Sequence, residues 1–332
     1  MTKILLIVAA GVIIAFAALF GFRFNSKEAA TKSASAQVTP VGVAAQNMTP
    51  GDRLINVAQA TIERLPASAK GYNLLAAAYM QKARETGDFG FNAKAEEALA
   101  HSTQEEPANY DALKLRAKLL LTYHRFAEAL AAAQAAQAVN PRDYDVYGAM
   151  TDALVELGEY DKAVAAAQTM VDLRPDTASY SRVSYQRDLH GDTNGAVEAM
   201  RMAVEAAAPQ DVESVAWCRV HLGDELTRAG KMAEAEHKYD HALFVFPGYH
   251  LALAAKARAR LAAGDTEAAA EFYRRAIERV PLPDYAAALG DLYTKLGRAE
   301  DARRQYELVE FVERTGAQSG TYTRQLAMFW AD

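Results

Sequence analysis

The apolar residues of this 332-residue chain follow two different patterns. Residues 4–22 form one run of 19 uncharged, almost wholly apolar positions, bounded by Lys3 and Arg23. As a helix rising 1.5 Å per residue, the run would be about 28 Å long, close to the hydrocarbon thickness of a bilayer. From about residue 51 onward, apolar residues instead recur every three to four positions, the spacing of one buried helix face. Alternation of apolar and polar positions is rare, so no β-sheet is expected.

The apolar run predicts a single transmembrane anchor over residues 1–23. A cleavable signal peptide has a shorter apolar region followed promptly by a small-x-small site. The fitting triplet Ala34-Ser35-Ala36 lies well beyond the run. Cleavage, which would release a secreted soluble protein, stays the alternative. Positive charges flank both ends and do not decide the orientation. We expect the usual one, with the amino end in the cytoplasm and the bulk of the chain in the periplasm or at the cell surface.

The next stretch predicts a flexible connection between the anchor and the rest of the chain. Residues 24–50 are rich in Ala, Ser, Thr, Gln and Val and poor in large apolar side chains. Such a composition cannot bury enough surface to fold, and it is typical of a linker.

Prolines recur with a period of 34 residues after this linker. They stand at positions 107, 141, 175 and 209, and the interval returns between 247 and 281. Small and aromatic residues precede most of them at helical spacing, as Ala235, Tyr239 and Ala242 precede Pro247. Gly230 separates this group from the apolar positions before it. Because glycine and proline end helices, each block is predicted to form two helices joined by a turn.

The period and the order L-G…Y…A…Y…A…P resemble the tetratricopeptide repeat (TPR) family. The clearest examples are Leu222-Gly223…Ala235…Tyr239…Ala242…Pro247 and Leu289-Gly290…Tyr293…Gly297…Ala302…Tyr306. The resemblance implies an all-α TPR solenoid, a right-handed superhelix of helix-turn-helix repeats, behind the transmembrane helix. We expect a leading half-repeat helix at 51–66, seven TPR units at 67–315 and a C-terminal capping helix at 316–332. In the first unit, residues 82–88 are additional and predict an elongated turn.

The resemblance also implies a concave groove, lined by the first helix of each repeat, that holds protein or peptide partners. The family's groove positions, carried over repeat by repeat, and the aromatic residues nearby identify the candidate partner-binding residues as Asn73, Lys114, Lys118, Asp152, Tyr185, Trp217, Asp224, Arg258 and Asp291.

Two pairs among these candidates suggest a way to hold a partner. Lys114 and Lys118 lie four residues apart on one helix face, where they would meet an anion, and an ordinary solvated face is the alternative. The asparagines of the family's carboxylate clamp are missing, so that clamp is not predicted. Tyr185 and Trp217 are candidate aromatic anchors. For Trp217 the alternative is packing against the irregular loop at 210–214.

Few other residues suggest nucleic-acid binding, catalysis or metal binding. With 36 basic and 42 acidic residues the net charge is −6, which disfavours a nucleic-acid binder. The single cysteine, Cys218, cannot form an intrachain disulfide, and with His221 it lacks the third group that a nucleophilic site needs. His237 and His241 have zinc-compatible spacing, but the repeat pattern places both on the outer surface.

We therefore predict no catalytic, cofactor-binding or metal-binding residue. The preferred interpretation is a non-enzymatic, membrane-tethered scaffold that binds protein or peptide partners, with a role in envelope assembly or protein maturation suggested by analogy. A metal-binding or enzymatic accessory protein that uses the histidine-rich stretch 221–250 is the alternative.

Overall fold

The computed structural model describes residues 48–317, and these fold entirely into α-helices and the turns between them. The helices are α1 (Pro50–Arg64), α2 (Ala69–Thr86), α3 (Gly90–Glu105), α4 (Tyr110–Thr122), α5 (Phe126–Val139), α6 (Tyr144–Glu156), α7 (Tyr160–Leu173), α8 (Thr177–Leu189), α9 (Thr193–Ala206), α10 (Val212–Arg228), α11 (Met232–Val245), α12 (His250–Ala262), α13 (Thr266–Arg279), α14 (Pro283–Lys295) and α15 (Ala299–Ala317). The predicted all-α solenoid is confirmed, and no strand occurs between residues 48 and 317.

Each helix packs on its neighbours in the chain. Seven hairpins follow α1, from α2–α3 to α14–α15, and the second helix of each packs on the first helix of the next. We number them as repeats one to seven. The first helices of neighbouring repeats also contact each other, as α2–α4, α4–α6, α6–α8 and α10–α12 do. Within the described range, successive second helices have no comparable contact, so the ribbon curves with its first helices on the inner face.

Small residues let the two helices of a repeat approach closely. In the fifth repeat Gly223 of α10 faces the ring of Tyr239 on α11, and a Cβ built on the glycine would lie 2.3 Å from Tyr239 Cε1. Gly290 and Tyr306 repeat this arrangement in the seventh repeat, with a corresponding distance of 2.5 Å. Since no side chain tolerates such distances, the glycine is what allows the tyrosine to fill the space between the helices.

The turn between the two helices of each repeat contains a residue whose backbone lies in the left-handed region, with a positive φ. Gly158 and Gly230 follow the first helix of their repeats with φ values of 76° and 75°, and the sequence predicts such a turn at Gly230. In the second repeat the same place is held by His124, whose φ is 56°. A non-glycine residue pays a steric penalty in this region, so the backbone geometry is kept even where glycine has been replaced.

The prediction of an elongated turn at 82–88 is wrong for most of these residues. Residues 82–86 continue α2, and the helix ends at Gly87 with a φ of 70°. Lysine, alanine, arginine and glutamate are strong helix formers, so the added residues lengthen the helix instead of forming a loop. The extra turn of helix also finds partners on α1, since Lys82 forms an ion pair with Asp52 at 2.8 Å.

The terminal predictions lie outside the described residues. The anchor at 1–23, nearly all of the linker at 24–50, and residues 318–332 of the capping helix belong to this group. Among residues 48–317, no helix is long and apolar enough to cross a membrane. The final described helix, α15, extends to Ala317.

Replacement of Gly223 by Ala is expected to destabilise the fold by overpacking. The added methyl group would overlap the ring of Tyr239, which costs about 1–3 kcal/mol in a well-packed core. We expect a lower midpoint of urea unfolding, measured by circular dichroism.

The matched control is the same substitution in a Tyr239→Leu background, where the aromatic ring is absent. There the gain in helix propensity of Ala over Gly, about 1 kcal/mol, is expected to offset the remaining cost. An equal loss in both backgrounds would show that the glycine is not needed for the helix crossing.

Candidate protein-binding face

The inner face consists of the first helices and carries most of the candidate partner-binding residues. Many of them are not open to solvent, because they are paired with a group on the neighbouring repeat. We call this set of polar contacts between successive first helices the inner-face ladder. Its members lie in the pairs Asn73–Asn109, Lys114–Asp143, Lys118–Asp145, Asp152–Arg182, Asp188–Arg228 and Asp224–Arg258.

The lysine pair of the second repeat is neutralised by the third repeat. Lys114 Nζ lies 2.6 Å from Asp143 Oδ2 and 3.4 Å from Asp145 Oδ2, and Lys118 Nζ lies 2.6 Å from Asp145 Oδ2. Tyr110 donates a further hydrogen bond to Asp143. Burial lowers the pKa of Lys118, although Asp145 opposes this effect. The structure thus brings the two lysines together as predicted, but it already supplies the acidic groups that they contact.

Asp152 forms the most buried ion pair of the ladder. The guanidinium group of Arg182 donates to both carboxylate oxygens of Asp152, at 2.8 and 2.7 Å, and both side chains are less than a tenth exposed. Arg182 also donates to the carbonyl oxygen of Gly148 at 3.2 Å. A Cβ on Gly148 would lie 3.0 Å from Arg182 Cζ, so this glycine makes room for the guanidinium. Loss of one member of such a pair costs about 3–5 kcal/mol, which identifies Asp152 as a structural residue.

Asp224 and Asp291 occupy equivalent positions in the fifth and seventh repeats. Each accepts a hydrogen bond from the tyrosine fifteen residues later, Tyr239 at 2.9 Å and Tyr306 at 2.8 Å. Asp224 is buried and also accepts from Arg258 at 3.2 Å, whereas Asp291 is exposed. The side chain of Arg258 keeps 39% of its surface in solvent. Asp291 and Arg258 therefore remain accessible to a partner.

Asn73 is a hydrogen-bonding group inside the first repeat. It donates to Asn109 Oδ1 at 2.8 Å and accepts from Ser102 Oγ at 2.7 Å. Asn109 in turn caps α4 by accepting from the backbone N–H of Ala112. Asn73 thus ties the first repeat to the start of the second, and only 7% of its surface is exposed.

The two aromatic candidates differ in their accessibility. Trp217 is fully buried among the apolar residues of the fourth to sixth repeats, and its ring lies 3.9 Å from that of His221. As a groove anchor Trp217 is therefore a wrong prediction for this structure. Tyr185 is half-buried and packs between the apolar clusters of two neighbouring repeats, which leaves part of its ring accessible on α8.

A carboxyl group missed by the sequence analysis lies at the junction of the fourth and fifth repeats. Arg228 donates to Asp188 of α8 at 3.1 Å and to Glu225 Oε1 at 3.2 Å. Glu225 Oε2 is buried and accepts no hydrogen bond from the residues that the structure describes. Burial raises the pKa of Glu225 to about 7, against the opposing charge of Arg228. Burial also lowers the pKa of His221 to about 4.

The histidines and the cysteine of the metal-binding or enzymatic alternative do not come together in one site. Across residues 48–317, no group of three or more His, Cys, Asp or Glu side chains has a geometry that could hold a metal ion. Cys218 is buried, and burial raises the pKa of its thiol. His237 is exposed on α11, as predicted, and His241 is half-buried on the same helix.

The raised pKa of Glu225 predicts that stability falls as the pH rises. The folded chain holds this proton up to about pH 7, whereas an unfolded glutamic acid loses it near pH 4.3. Because the folded state binds more protons between these values, its stability declines across that window. Glu225→Gln is neutral throughout, so we expect it to stabilise the protein by about 1–3 kcal/mol at pH 8 and by little at pH 4.

Urea unfolding at the two pH values checks this expectation. Glu198→Gln on α9 removes an exposed carboxylate and serves as the control, with little effect expected at either pH. The assignment fails if Glu225→Gln changes the unfolding midpoint equally at pH 4 and pH 8.

Comparison with known proteins agrees with this architecture. Family models described as "Tetratricopeptide repeat" match residues 120–184, 221–284 and 255–311. No curated protein sequence matches the chain.

Solved structures also share the fold, and two examples cover most of this chain. A tetratricopeptide repeat protein from Parabacteroides merdae has a TM-score of 0.52 and 17% identity, with 75% of this chain and 95% of that chain covered. A chain of the APC/C hetero-tetramer Cut9–Hcn1 has a TM-score of 0.57 and 14% identity, with 73% of this chain covered. Our chain spans only 46% of that relative's length. Residues 120–184 and 221–311 therefore match tetratricopeptide repeats, and residues 48–317 share the all-α solenoid fold of these two structures.

Proposed function

We propose that this protein is a membrane-tethered scaffold that binds protein or peptide partners on the inner face of its repeats and performs no catalysis. The observation that carries the proposal is the row of first helices, which come together on one concave side of the ribbon. Proteins with this fold generally bind other proteins. The exposed parts of Tyr185, Arg258 and Asp291 offer an aromatic surface, a cation and an anion on that side.

The ion pairs of the inner-face ladder restrict which chemical groups of a partner this face can bind. Lys114 and Lys118 would have to leave Asp143 and Asp145 before they could bind a foreign carboxylate. Exchange of a buried ion pair for another gains little, because the desolvation cost is unchanged and the existing contacts are lost. We therefore infer that Lys114 and Lys118 do not bind a terminal carboxylate of the partner, and that the partner segment contacts Tyr185, Arg258 and Asp291 instead.

The tether and its surroundings are part of the proposal. The apolar run at 4–22 would hold the chain at a membrane, and the linker at 24–50 would let the repeats reach a partner near the bilayer. We place the repeats outside the cytoplasm and infer a role in envelope assembly or protein maturation. If the anchor is instead cleaved, the same repeats act as a secreted adaptor.

Photocrosslinking in intact cells tests the binding face. Tyr185 is replaced by the photoreactive p-benzoylphenylalanine, which preserves an aromatic side chain, and Phe244 on α11 is replaced in a matched variant. Phe244 is 82% exposed but lies on a second helix, away from the inner face. We expect a defined crosslinked protein from position 185 and none from position 244. Crosslinking at 244 alone would assign partner binding to the outer surface.

Membrane fractionation tests the tether. Ile13→Asp combined with Phe16→Asp places two charges in the centre of the apolar run, and each costs about 2.5–3.5 kcal/mol in a membrane helix. We expect the wild-type chain to sediment with membranes after carbonate washing and the variant to be released. Mass spectrometry of the wild-type amino terminus distinguishes an intact anchor from a cleaved signal. A wild-type chain that is intact and equally soluble would refute the tether.

A further inference from the structure

The added residues of α2 connect two parts of the chain that are far apart in sequence. On one side they hold the start of α1. Lys82 Nζ lies 2.8 Å from Asp52 and donates to Thr49 Oγ1 at 3.1 Å. Glu85 accepts from the backbone N–H of Gly51 at 2.9 Å. These contacts cap the first turn of α1, so residues 82–86 and the start of α1 are held together as one unit.

On the other side, the end of α2 touches the sixth and seventh repeats. Gly87 lies against Val280, in the loop between α13 and α14, and a Cβ built on the glycine would lie 2.6 Å from Val280 Cγ1. Leu282 Cδ2 lies 4.0 Å from the same point. Val280 is only 4% exposed although it lies in a loop between helices. The contact therefore joins residues that are nearly two hundred positions apart.

Charged groups next to this contact support it. Arg84 on α2 lies close enough to Glu213 on α10 to counteract the rise that burial causes in the pKa of the Glu213 carboxyl. Arg84 acts in the same sense on Tyr249, directly before α12. The end of α2 thus faces the beginnings of first helices from the fifth, sixth and seventh repeats.

We propose that residues 84–87 at the end of α2 form a latch that closes the superhelix on itself through Val280 and Leu282. In the closed form the first repeat lies against the last three, so that the inner face is enclosed for part of its length. Release of the latch opens the ribbon and gives an extended segment access to the inner face. Access of a partner segment rests on the proposed function, whereas the closing contact is a property of the chain alone, so its test needs no partner and can fail separately.

A designed disulfide tests whether the contact forms in solution. The built Cβ at position 87 lies 4.0 Å from Val280 Cβ, within the range that a disulfide spans. Gly87→Cys with Val280→Cys, in a Cys218→Ala background, is expected to form a disulfide in air-saturated buffer, where dissolved oxygen accepts the two electrons and two protons. The crosslinked chain should migrate faster on a non-reducing gel. The control pair is Gly158→Cys with Val280→Cys. Gly158 has the same left-handed backbone but nothing within 4 Å of its built Cβ, so no crosslink is expected.

Small-angle X-ray scattering measures closure without new cysteines. Gly87→Ala would push the methyl group into Val280, and we expect an increased radius of gyration at unchanged helix content. Gly158→Ala carries the same left-handed strain with no such clash, so its radius of gyration is expected to match the wild type. Absence of the crosslink, or equal radii for Gly87→Ala and Gly158→Ala, would overturn the proposal. If the cysteine variant does not fold, the scattering comparison decides.

Discussion

The structure depends on the neutralisation of charges that stacking has buried. A lone repeat would leave Lys118, Asp152 or Asp224 on its surface, and the next repeat covers each of them while supplying the opposite charge. Burial of an unpaired charge is prohibitive, whereas a paired one is tolerated. Neighbouring repeats must therefore stack in one register, because a displaced repeat would bury the same charges without partners. Apolar packing drives the association, and the polar pairs restrict its geometry.

Much of the fold could be predicted from the sequence, because the repeat places the same small residues at the same helix crossings. Gly223 and Tyr239 belong to one repeat and are separated by sixteen positions, so local periodicity is enough to pair them. The structure at the end of α2 is harder to predict from the sequence. Residues 82–88 are additional to the repeat pattern, which predicts a turn there, although lysine, alanine and glutamate favour helix over loop. Their contacts with α1 lie outside the repeat pattern.

The candidate site was predicted less well than the fold. The repeat pattern identifies which positions of the first helices belong to the groove. Whether a side chain at such a position is accessible to a partner depends on the residue that contacts it from the neighbouring repeat. Lys114 and Asp152 lie on first helices, and each forms an ion pair with the following repeat. For Trp217 a local signal was available, since Val215, Ala216 and Cys218 surround it with apolar residues on every side of the helix. Such a run indicates that this one turn of the helix is buried on all sides.

The contacts between α1 and the end of α2 would transmit a force that is applied to the start of α1. A force exerted on the chain ahead of Thr49 would be transmitted beyond α1, because Lys82 and Glu85 bind the first turn of that helix. The load would pass through the last turns of α2 to Gly87 and the loop that contains Val280. A force on the chain ahead of Thr49 and the spacing between distant repeats would thereby be coupled through the last turns of α2.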